Sequence, residues 1–318
     1  MTGTSYGGAT SQDFVTVKYS PAGETLWVRS WNGTGAYAED KPACLLVDAS
    51  QNIYVGGYTE GWGTGRDFAV VKYSRHGDTL WSRRYNGTAD GDDEVVGIGT
   101  DDRGRVYVAG YSTGTGTFAD YCVICYSPLG ESLWAYRWDY SGYGNWPTAL
   151  TVDGDGNSYV TGYGFDPATQ YDFHTISLSP DGIPRWQVRY NGYADDWDQP
   201  VAIGLDAARN VYVTGFSMSN AQGFDYVTIK YVQSPGIEEE TKGESGGTRA
   251  STAFVRGVLL MPSSLLTANF SLLSIDGRKV LDLRPGPNDV SHLTPGVYFL
   301  RPTDGGKRSA FRKVLVTR

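Results

Sequence analysis

The chain has 318 residues, of which 14% are aromatic and 19% are charged, and its formal net charge is −8. Its 42 glycines and many aromatic residues are typical of short strands joined by tight turns, and this composition excludes a disordered acidic chain. Residues 1–231 carry a net charge of −12, which argues against a nucleic-acid partner because phosphate binding needs a basic surface. No segment approaches the roughly 20 apolar residues of a membrane-spanning helix, so no membrane span is expected.

A repeat of 52 to 54 residues fills the first 231 residues. Its marker is an aspartate followed by an aromatic residue, and the units start near 13, 67, 120, 172 and 225. A repeat of this length with four strand-like segments is typical of a propeller blade. The sequence therefore predicts an all-β fold containing a β-propeller of four-stranded blades.

Each repeat contains four predicted strands. The first, Asp13–Tyr19, alternates apolar and polar residues, and a Pro- or Gly-containing turn follows it. The second strand carries a tryptophan at a fixed offset, which we interpret as packing between blades. A variable loop leads to a short third strand such as Ala43–Val47, and a turn after Asp48 leads to the fourth, such as residues 53–57.

The complete ending of a unit is Val152–Gly162, with the sequence VDGDGNSYVTG. Together with the D-F/Y-x-x-x-K-Y strand and the S-x-x-G-x-x-x-W hairpin, it resembles the bacterial beta-propeller repeat family SBBP. The resemblance covers residues 1–231 and implies the fold, whereas it implies little about a ligand because propellers have many functions.

The repeat register suggests that the polypeptide is truncated at its N-terminus. Met1–Ser5 aligns with Val213–Ser217, so the chain would begin inside the fourth strand of a blade, and Asp225–Tyr231 would be a first strand of a closing blade. We expect four whole blade units plus a partial closing blade. The N-terminal sequence MTGTSYGG also lacks the basic start and apolar run of a signal peptide.

Residues 232–252 are polar and rich in Gly, Ser and Glu, which is typical of a flexible linker. Residues 253–318 carry a net charge of +6, and predicted strands with an Asp276-Gly277 hairpin turn favour a small Ig-like β-sandwich. The predicted strands are Phe254–Met261, Asn269–Ile275, Lys279–Leu283, Val297–Arg301 and Phe311–Val316.

The segment Leu293–Arg301, LTPGVYFLR, together with Ser274–Val280 and Lys313–Arg318, resembles the C-terminal sorting domain of the type IX (Por-type) secretion system. The resemblance implies export to the cell exterior or outer-membrane surface of a Gram-negative bacterium, with the secretion machinery as a partner of residues 253–318. The alternative is a generic Ig-like accessory domain.

The sequence contains no recognisable catalytic set. Its three histidines do not form a metal motif, and His174 is interpreted as a core residue; Cys122 and Cys125 lie three residues apart on one strand, so they should point to opposite faces. Asp153, Asp155 and Asn157 have the alternating oxygens of a calcium loop, but sibling turns lack the second aspartate, so turn stabilisation is the preferred interpretation. No cofactor is expected.

The best candidates for function are the loops between the second and third strands. Exposed aromatic residues beside carboxylates suit an extracellular glycan or a protein partner, although packing within the loops is the alternative. We predict a secreted or cell-surface binding or structural module rather than an enzyme; the alternatives are a propeller hydrolase or lyase acting on extracellular polysaccharide and a purely structural adhesin-like repeat. The candidate ligand-binding residues are Tyr37, Asp92, Asp93, Tyr143, Trp146, Tyr193, Asp195 and Trp197.

Overall fold

The computed structural model divides the chain into two compact units, Met1–Pro235 and Gly236–Arg318, which are described separately. In the first unit it describes residues 1–6, 11–33, 38–140, 142–192, 194–219 and 223–232. In the second unit it describes residues 253–255, 258–261, 270–274, 278–284, 286–290, 292–294, 296–302 and 312–316. Every regular element within these ranges is a strand, which confirms the predicted all-β fold.

In the described part of the first unit, five antiparallel sheets follow one another along the chain. The first and second sheets contain β1 (Thr2–Tyr6), β2 (Gln12–Tyr19) and β3 (Thr25–Trp31), then β4 (Asp40–Val47), β5 (Ile53–Gly61), β6 (Gly65–Tyr73) and β7 (Thr79–Tyr85). The third contains β8 (Asp93–Thr100), β9 (Val106–Thr113), β10 (Ala119–Tyr126) and β11 (Ser132–Trp138). The fourth and fifth contain β12 (Asn145–Val152), β13 (Ser158–Asp166), β14 (Gln170–Leu178) and β15 (Pro184–Tyr190), then β16 (Asp198–Leu205), β17 (Val211–Ser219) and β18 (Gly223–Tyr231).

The sheets pack as the blades of a β-propeller. The strands β4, β8, β12 and β16 contact one another from sheet to sheet, so they are the innermost strands, and β3, β7, β11 and β15 are the outermost. Each four-stranded sheet combines the last two strands of one sequence repeat with the first two strands of the next. The long variable loop therefore connects two neighbouring sheets and does not lie within one sheet. Within the described residues, the predicted four blade units therefore appear as three four-stranded sheets flanked by two three-stranded ones.

Aromatic and β-branched side chains fill the space between successive sheets. Between the second and third sheets, Trp81 lies 6.0 Å from Tyr126 and 6.3 Å from Tyr54, measured between ring centroids. The Trp81 indole N–H also donates to the carbonyl of Pro128 at 3.1 Å, and Trp27 and Trp134 make the same bond to the next sheet. The recurring tryptophan therefore joins neighbouring sheets, as its periodicity predicted.

The turn glycine of each hairpin is required by this packing. Gly182 has a φ of +77°, and a Cβ added to it would meet the Trp134 ring at 2.7 Å. Gly130 has a φ of +84° and lies in the same way on Trp81. A side chain at either position would strain the backbone and displace the tryptophan that joins two sheets.

The described residues of the second unit form seven strands in two sheets. The five-stranded sheet has the order β19 (Ala253–Val255), β25 (Arg312–Val316), β24 (Gly296–Pro302), β21 (Phe270–Ser274) and β22 (Lys279–Leu283), and β20 (Val258–Met261) pairs with β23 (Gly286–Asp289). The buried side chains of Leu272, Leu283, Val290 and Tyr298 form its core. All five predicted strands are present, the first of them divided in two, and β23 was not predicted; the Asp276-Gly277 turn lies outside the described residues.

Candidate functional site

The variable loops emerge at one end of the propeller, here called the loop face. This face contains the crossings between sheets, of which the structure describes residues 32–33, 38–39, 86–92, 139–140, 142–144, 191–192 and 194–197. It also contains the hairpins between the two middle strands of a sheet, such as residues 166–170. The opposite end carries the tight turns, such as residues 153–157 and 179–183. The predicted ligand-binding residues that the structure describes therefore belong to one face.

A buried aspartate at the start of the innermost strand fixes each crossing loop in three sheets. Asp40 and Asp93 accept hydrogen bonds from the backbone N–H groups of Gly33 and Gly87 at 2.8 and 2.5 Å, and Asp198 accepts one from Gly192. Burial raises the pKa of these carboxyl groups, while their hydrogen bonds oppose the shift. The predicted ligand residue Asp93 is thus an internal loop anchor with 0% exposure.

In three repeats, the aspartate that marks the start of the repeat is also structural. Asp67 and Asp120 bind an arginine of the outermost strand of their own sheet, Arg84 Nε at 2.7 Å and Arg137 Nη2 at 2.8 Å. Asp172 binds Arg189 in the same way, with a distance of 3.0 Å to Nε. These ion pairs connect strands within a sheet. They account for the recurrence of the aspartate in the repeat, and no ligand is needed to explain it.

Two of the predicted ligand-binding residues, Asp92 and Asp195, are exposed carboxylates that accept hydrogen bonds from neighbouring residues. Asp92 accepts a hydrogen bond from the backbone N–H of Arg66 at 3.1 Å, and Asp195, with φ of 48°, accepts one from the Asn191 side chain at 2.6 Å. Both carboxylates lie at the surface of the loop face. Tyr37 and Tyr193 lie outside the described residues.

Tyr143, Trp146 and Trp197 belong to a continuous aromatic cluster on the fourth and fifth sheets. The Trp146 ring stacks on Tyr163 at 5.5 Å, and Tyr171 lies 6.1 Å from Trp146 and 5.4 Å from Trp197, measured between centroids. We call the following residues the aromatic surface: Tyr143, Trp146, Tyr163, Phe165, Tyr171, Trp197, Phe216 and Phe224.

The outer edge of the aromatic surface is open to solvent. Tyr143, Trp197 and Phe224 are 41%, 42% and 50% exposed, whereas Trp146 and Tyr171 are half-buried behind them. Five members were not predicted because they lie on the middle strands rather than on the crossing loops. The sequence alone could have identified Phe165, because the second and third sheets have Glu60 and Thr113 at the equivalent position. The aromatic residue is therefore not part of the repeated pattern.

The predicted calcium loop has the hydrogen bonds of a turn. Asp153 accepts from the backbone N–H and the side-chain amide of Asn157, both at 2.8 Å, and Asp155 forms an ion pair with Arg209. Asp48 makes the same two bonds with Asn52 in a sibling turn. Among the residues that the structure describes, no group of three His, Cys, Asp or Glu side chains is arranged to hold a metal ion.

Four positions of the fourth sheet depart together from this repeated pattern. Tyr140 replaces the loop glycine, Asn145 replaces the anchoring aspartate, and Gly164 stands opposite Asn145 where the other sheets have a hydroxyl residue. His174 replaces a small apolar residue, and its imidazole lies 4.3 Å from the Tyr140 ring. Burial lowers the pKa of His174 to about 3, so its imidazole is neutral at neutral pH.

Other features carry no recognisable chemistry. An open pocket of about 270 Å³ lies between the first and second sheets, lined by Trp31, Asn32, Thr59 and Arg84 among others, but Arg84 is already paired with Asp67. Burial raises the pKa of the Cys122 thiol to about 12 and that of Cys125 to about 11, so neither is an activated nucleophile. No helix able to cross a bilayer occurs in the described part of the chain.

Comparison with known proteins supports the repeat family. Residues 80–116 match the family model of the SBBP beta-propeller repeat. No curated protein matches the sequence.

Solved structures resemble the chain only distantly. A gluconolactonase from Xanthomonas campestris is 14% identical, with 64% of this chain and 62% of that protein covered and a TM-score of 0.35. The periplasmic gluconolactonase of Pseudomonas aeruginosa is 12% identical, with coverage of 71% and 79% and a TM-score of 0.33. An α-L-arabinofuranosidase from Clostridium thermocellum is 16% identical, with coverage of 62% and 70% and a TM-score of 0.33.

Proposed function

We propose that the chain is a non-catalytic binding module that recognises an uncharged glycan at the aromatic surface of the fourth and fifth sheets. The observation that carries this proposal is the continuity of the aromatic surface. Tyr143, Trp197 and Phe224 present partly exposed rings, and Tyr171 and Trp146 support them from behind. Such rings offer apolar faces on which the C–H face of a sugar can stack.

The charge around the aromatic surface favours an uncharged ligand over an anionic one. Asp166, Asp195 and Asp196 lie on the adjoining hairpin and crossing loop, and residues 1–231 as a whole carry a net charge of −12. Carboxylates near the rings can accept hydrogen bonds from sugar hydroxyl groups, while they repel uronic acids, sulfates and phosphates.

The chemistry of the loop face supports binding rather than catalysis. The buried carboxylates Asp93 and Asp198 are occupied by backbone N–H groups, and Asp172 is occupied by Arg189. A glycosidase mechanism needs two carboxyl groups placed on either side of a scissile bond. These three buried carboxylates instead fix loops and strands, which is what a rigid binding surface requires.

The test is glycan binding by the full chain, screened on an array of neutral polysaccharides and quantified by affinity electrophoresis. Trp197→Ala should weaken binding about fivefold or more, because stacking of a flat ligand ring on an aromatic side chain, as measured for nucleic-acid bases, contributes about 1–3 kcal/mol. Trp62→Ala is the matched control, since Trp62 is 98% exposed in a hairpin of the second sheet, outside the aromatic surface. Equal weakening by both variants, or no neutral glycan bound, would refute the proposal.

We further propose that the protein acts outside the cell or on the outer-membrane surface, and that residues 253–318 direct its export as a β-sandwich sorting domain. The support is the sequence Leu293–Arg301, its resemblance to type IX sorting domains, and the two sheets of the second unit. Deletion of residues 251–318 should retain the protein in the periplasm of a host that has this secretion system. Normal export of the shortened protein would contradict the sorting role.

A further inference from the structure

One polar junction recurs between neighbouring sheets of the first unit. Lys18 Nζ of the first sheet donates to the Arg75 carbonyl of the second at 2.9 Å, and Lys72 Nζ donates to the Pro128 carbonyl of the third at 3.0 Å. The tryptophan of the outermost strand donates to the same carbonyl in both places. We call the donating side of a sheet, which is turned to the next sheet, its front face, and the accepting side its back face.

Aromatic side chains are buried wherever a front face meets a back face. One ring on the middle of each front face packs near a large side chain on the back face of the next sheet, and these residues are 0–3% exposed in the second, third and fourth sheets. They are Phe68, Tyr121 and Phe173 on front faces and Tyr73, Tyr126 and Leu178 on back faces.

Two such faces meet no other sheet among the described residues of the first unit. They are the front face of the fifth sheet and the back face of the first sheet. Tyr226, which occupies the position of Phe68, is 98% exposed, and Tyr19, which occupies the position of Tyr126, is 44% exposed. The chain therefore does not close these two faces on each other, and large rings that its repeat buries elsewhere lie in solvent.

The front face of the fifth sheet carries the cationic donor of the junction. Lys230 stands where the second sheet has Lys72, and its Nζ lies 4.9 Å from the centroid of the Tyr212 ring, compared with 5.1 Å for Lys72 and the equivalent ring. Lys230 Nζ also binds Asp206 at 3.4 Å. An ammonium group has three N–H donors, so Lys230 retains capacity for a carbonyl such as the one that Lys72 finds in Pro128.

The back face of the first sheet carries the matching acceptor. The Gly23 N–H donates to the Ser20 carbonyl at 2.9 Å, and the hairpin that contains Pro128 is closed by the same bond at 2.8 Å. Because the two turns have the same bond, Pro21 is placed in its hairpin as Pro128 is. The chain thus holds both sides of one junction on two separate, exposed faces.

We propose that a second copy of this chain is the partner of these faces, and that its first sheet docks by the back face on the front face of the fifth sheet. One chain carries both complementary surfaces, so the contact is heterologous, with two different patches on the two copies. The described fifth sheet has three strands and contributes no junction tryptophan, so we expect a reversible contact, weaker than an internal junction. Phe216 stands opposite Tyr226, which places the contact beside the aromatic surface, but the proposal does not rest on glycan binding.

The test is sedimentation velocity of the full chain between about 1 and 100 μM, without any glycan, where a reversible contact of ordinary strength is measurable. The sedimentation coefficient of the wild type should rise with concentration. Tyr226→Asp and Tyr19→Asp each place a charge in one of the two faces, so each variant alone should stay monomeric. Phe118→Asp is the matched control, because Phe118 is 63% exposed in a hairpin of the third sheet, and it should associate as the wild type does.

An equimolar mixture of Tyr226→Asp and Tyr19→Asp tests whether the contact is heterologous. Each variant keeps the face that the other has lost, so the mixture should form a 1:1 complex and no larger species. A wild type that stays monomeric over the whole range would overturn the proposal. So would a mixture without the complex, or association that neither variant weakens, because the contact would then lie elsewhere.

Discussion

Removal of the Asp93 carboxylate should destabilise the propeller far more than removal of its exposed neighbour. Asp93 has 0% exposure and accepts hydrogen bonds from Gly87 N–H at 2.5 Å and Thr113 N–H at 3.1 Å. In Asp93→Ala the Gly87 N–H and the Ser112 hydroxyl lose this acceptor, whereas the Thr113 N–H keeps a second acceptor, the Asp92 carbonyl, at 3.2 Å. Each unsatisfied donor costs about 1–3 kcal/mol, so we expect the free energy of unfolding to fall by about 2–6 kcal/mol.

Denaturant unfolding followed by tryptophan fluorescence measures this loss in the full chain. All nine tryptophans lie within residues 1–231, so the signal reports the first unit alone. Asp92→Ala is the matched control: Asp92 is exposed and accepts one hydrogen bond, from Arg66 N–H, so its removal should cost no more than about 1 kcal/mol. Equal stabilities of the two variants would refute the loop-anchor role of Asp93.

Three further predictions follow from the same contacts. Burial raises the pKa of Asp93 in the folded state, so its contribution to stability is complete below the unfolded pKa and is lost as pH rises through the folded pKa. The stability advantage of wild type over Asp93→Asn should therefore shrink between about pH 4 and neutral pH in parallel unfolding titrations. An advantage that grows with pH would contradict this. Trp81→Phe should lower the free energy of unfolding by about 1–2 kcal/mol, because the Pro128 carbonyl loses its indole donor, whereas Trp62→Phe should have no measurable effect in the same assay. Asp153→Ala should destabilise the protein by about 1–2 kcal/mol because the bonds to Asn157 are lost, and added calcium should change neither variant nor wild type; stabilisation of the wild type alone by calcium would favour the metal interpretation.

The repeat register predicted the strands better than it predicted the sheets. The periodic Asp13–Tyr19 strand lies within β2, and all five strands predicted in the second unit are present. The sheet boundaries could not be read from the repeat, because a sequence unit has no marked beginning and the crossing loop resembles any other polar loop. The strand β23 (Gly286–Asp289) was missed because Gly and Pro at its start are typical of turns.

The structure brings three of the predicted aromatic residues together and buries one of the predicted aspartates. Tyr143, Trp146 and Trp197 do lie together on one face, because a crossing loop and the next innermost strand bring them there. Asp93 was assigned with them because its loop carries two adjacent aspartates. The alignment with Asp40 and Asp198 could have separated it from Asp92, since a carboxylate kept at the start of three innermost strands serves the fold.

The departures from the repeat carry more information about function than the repeat itself. Tyr140, Asn145, Gly164 and His174 lie on one crossing loop and on three strands of the fourth sheet, and each replaces a repeated residue. They lie close together: the His174 ring is 4.3 Å from the Tyr140 ring, and Asn145 donates a hydrogen bond to the Tyr140 carbonyl. Because the same loop carries Tyr143 to the aromatic surface, the part of the molecule that differs most from its siblings is also the part that we propose to bind a ligand.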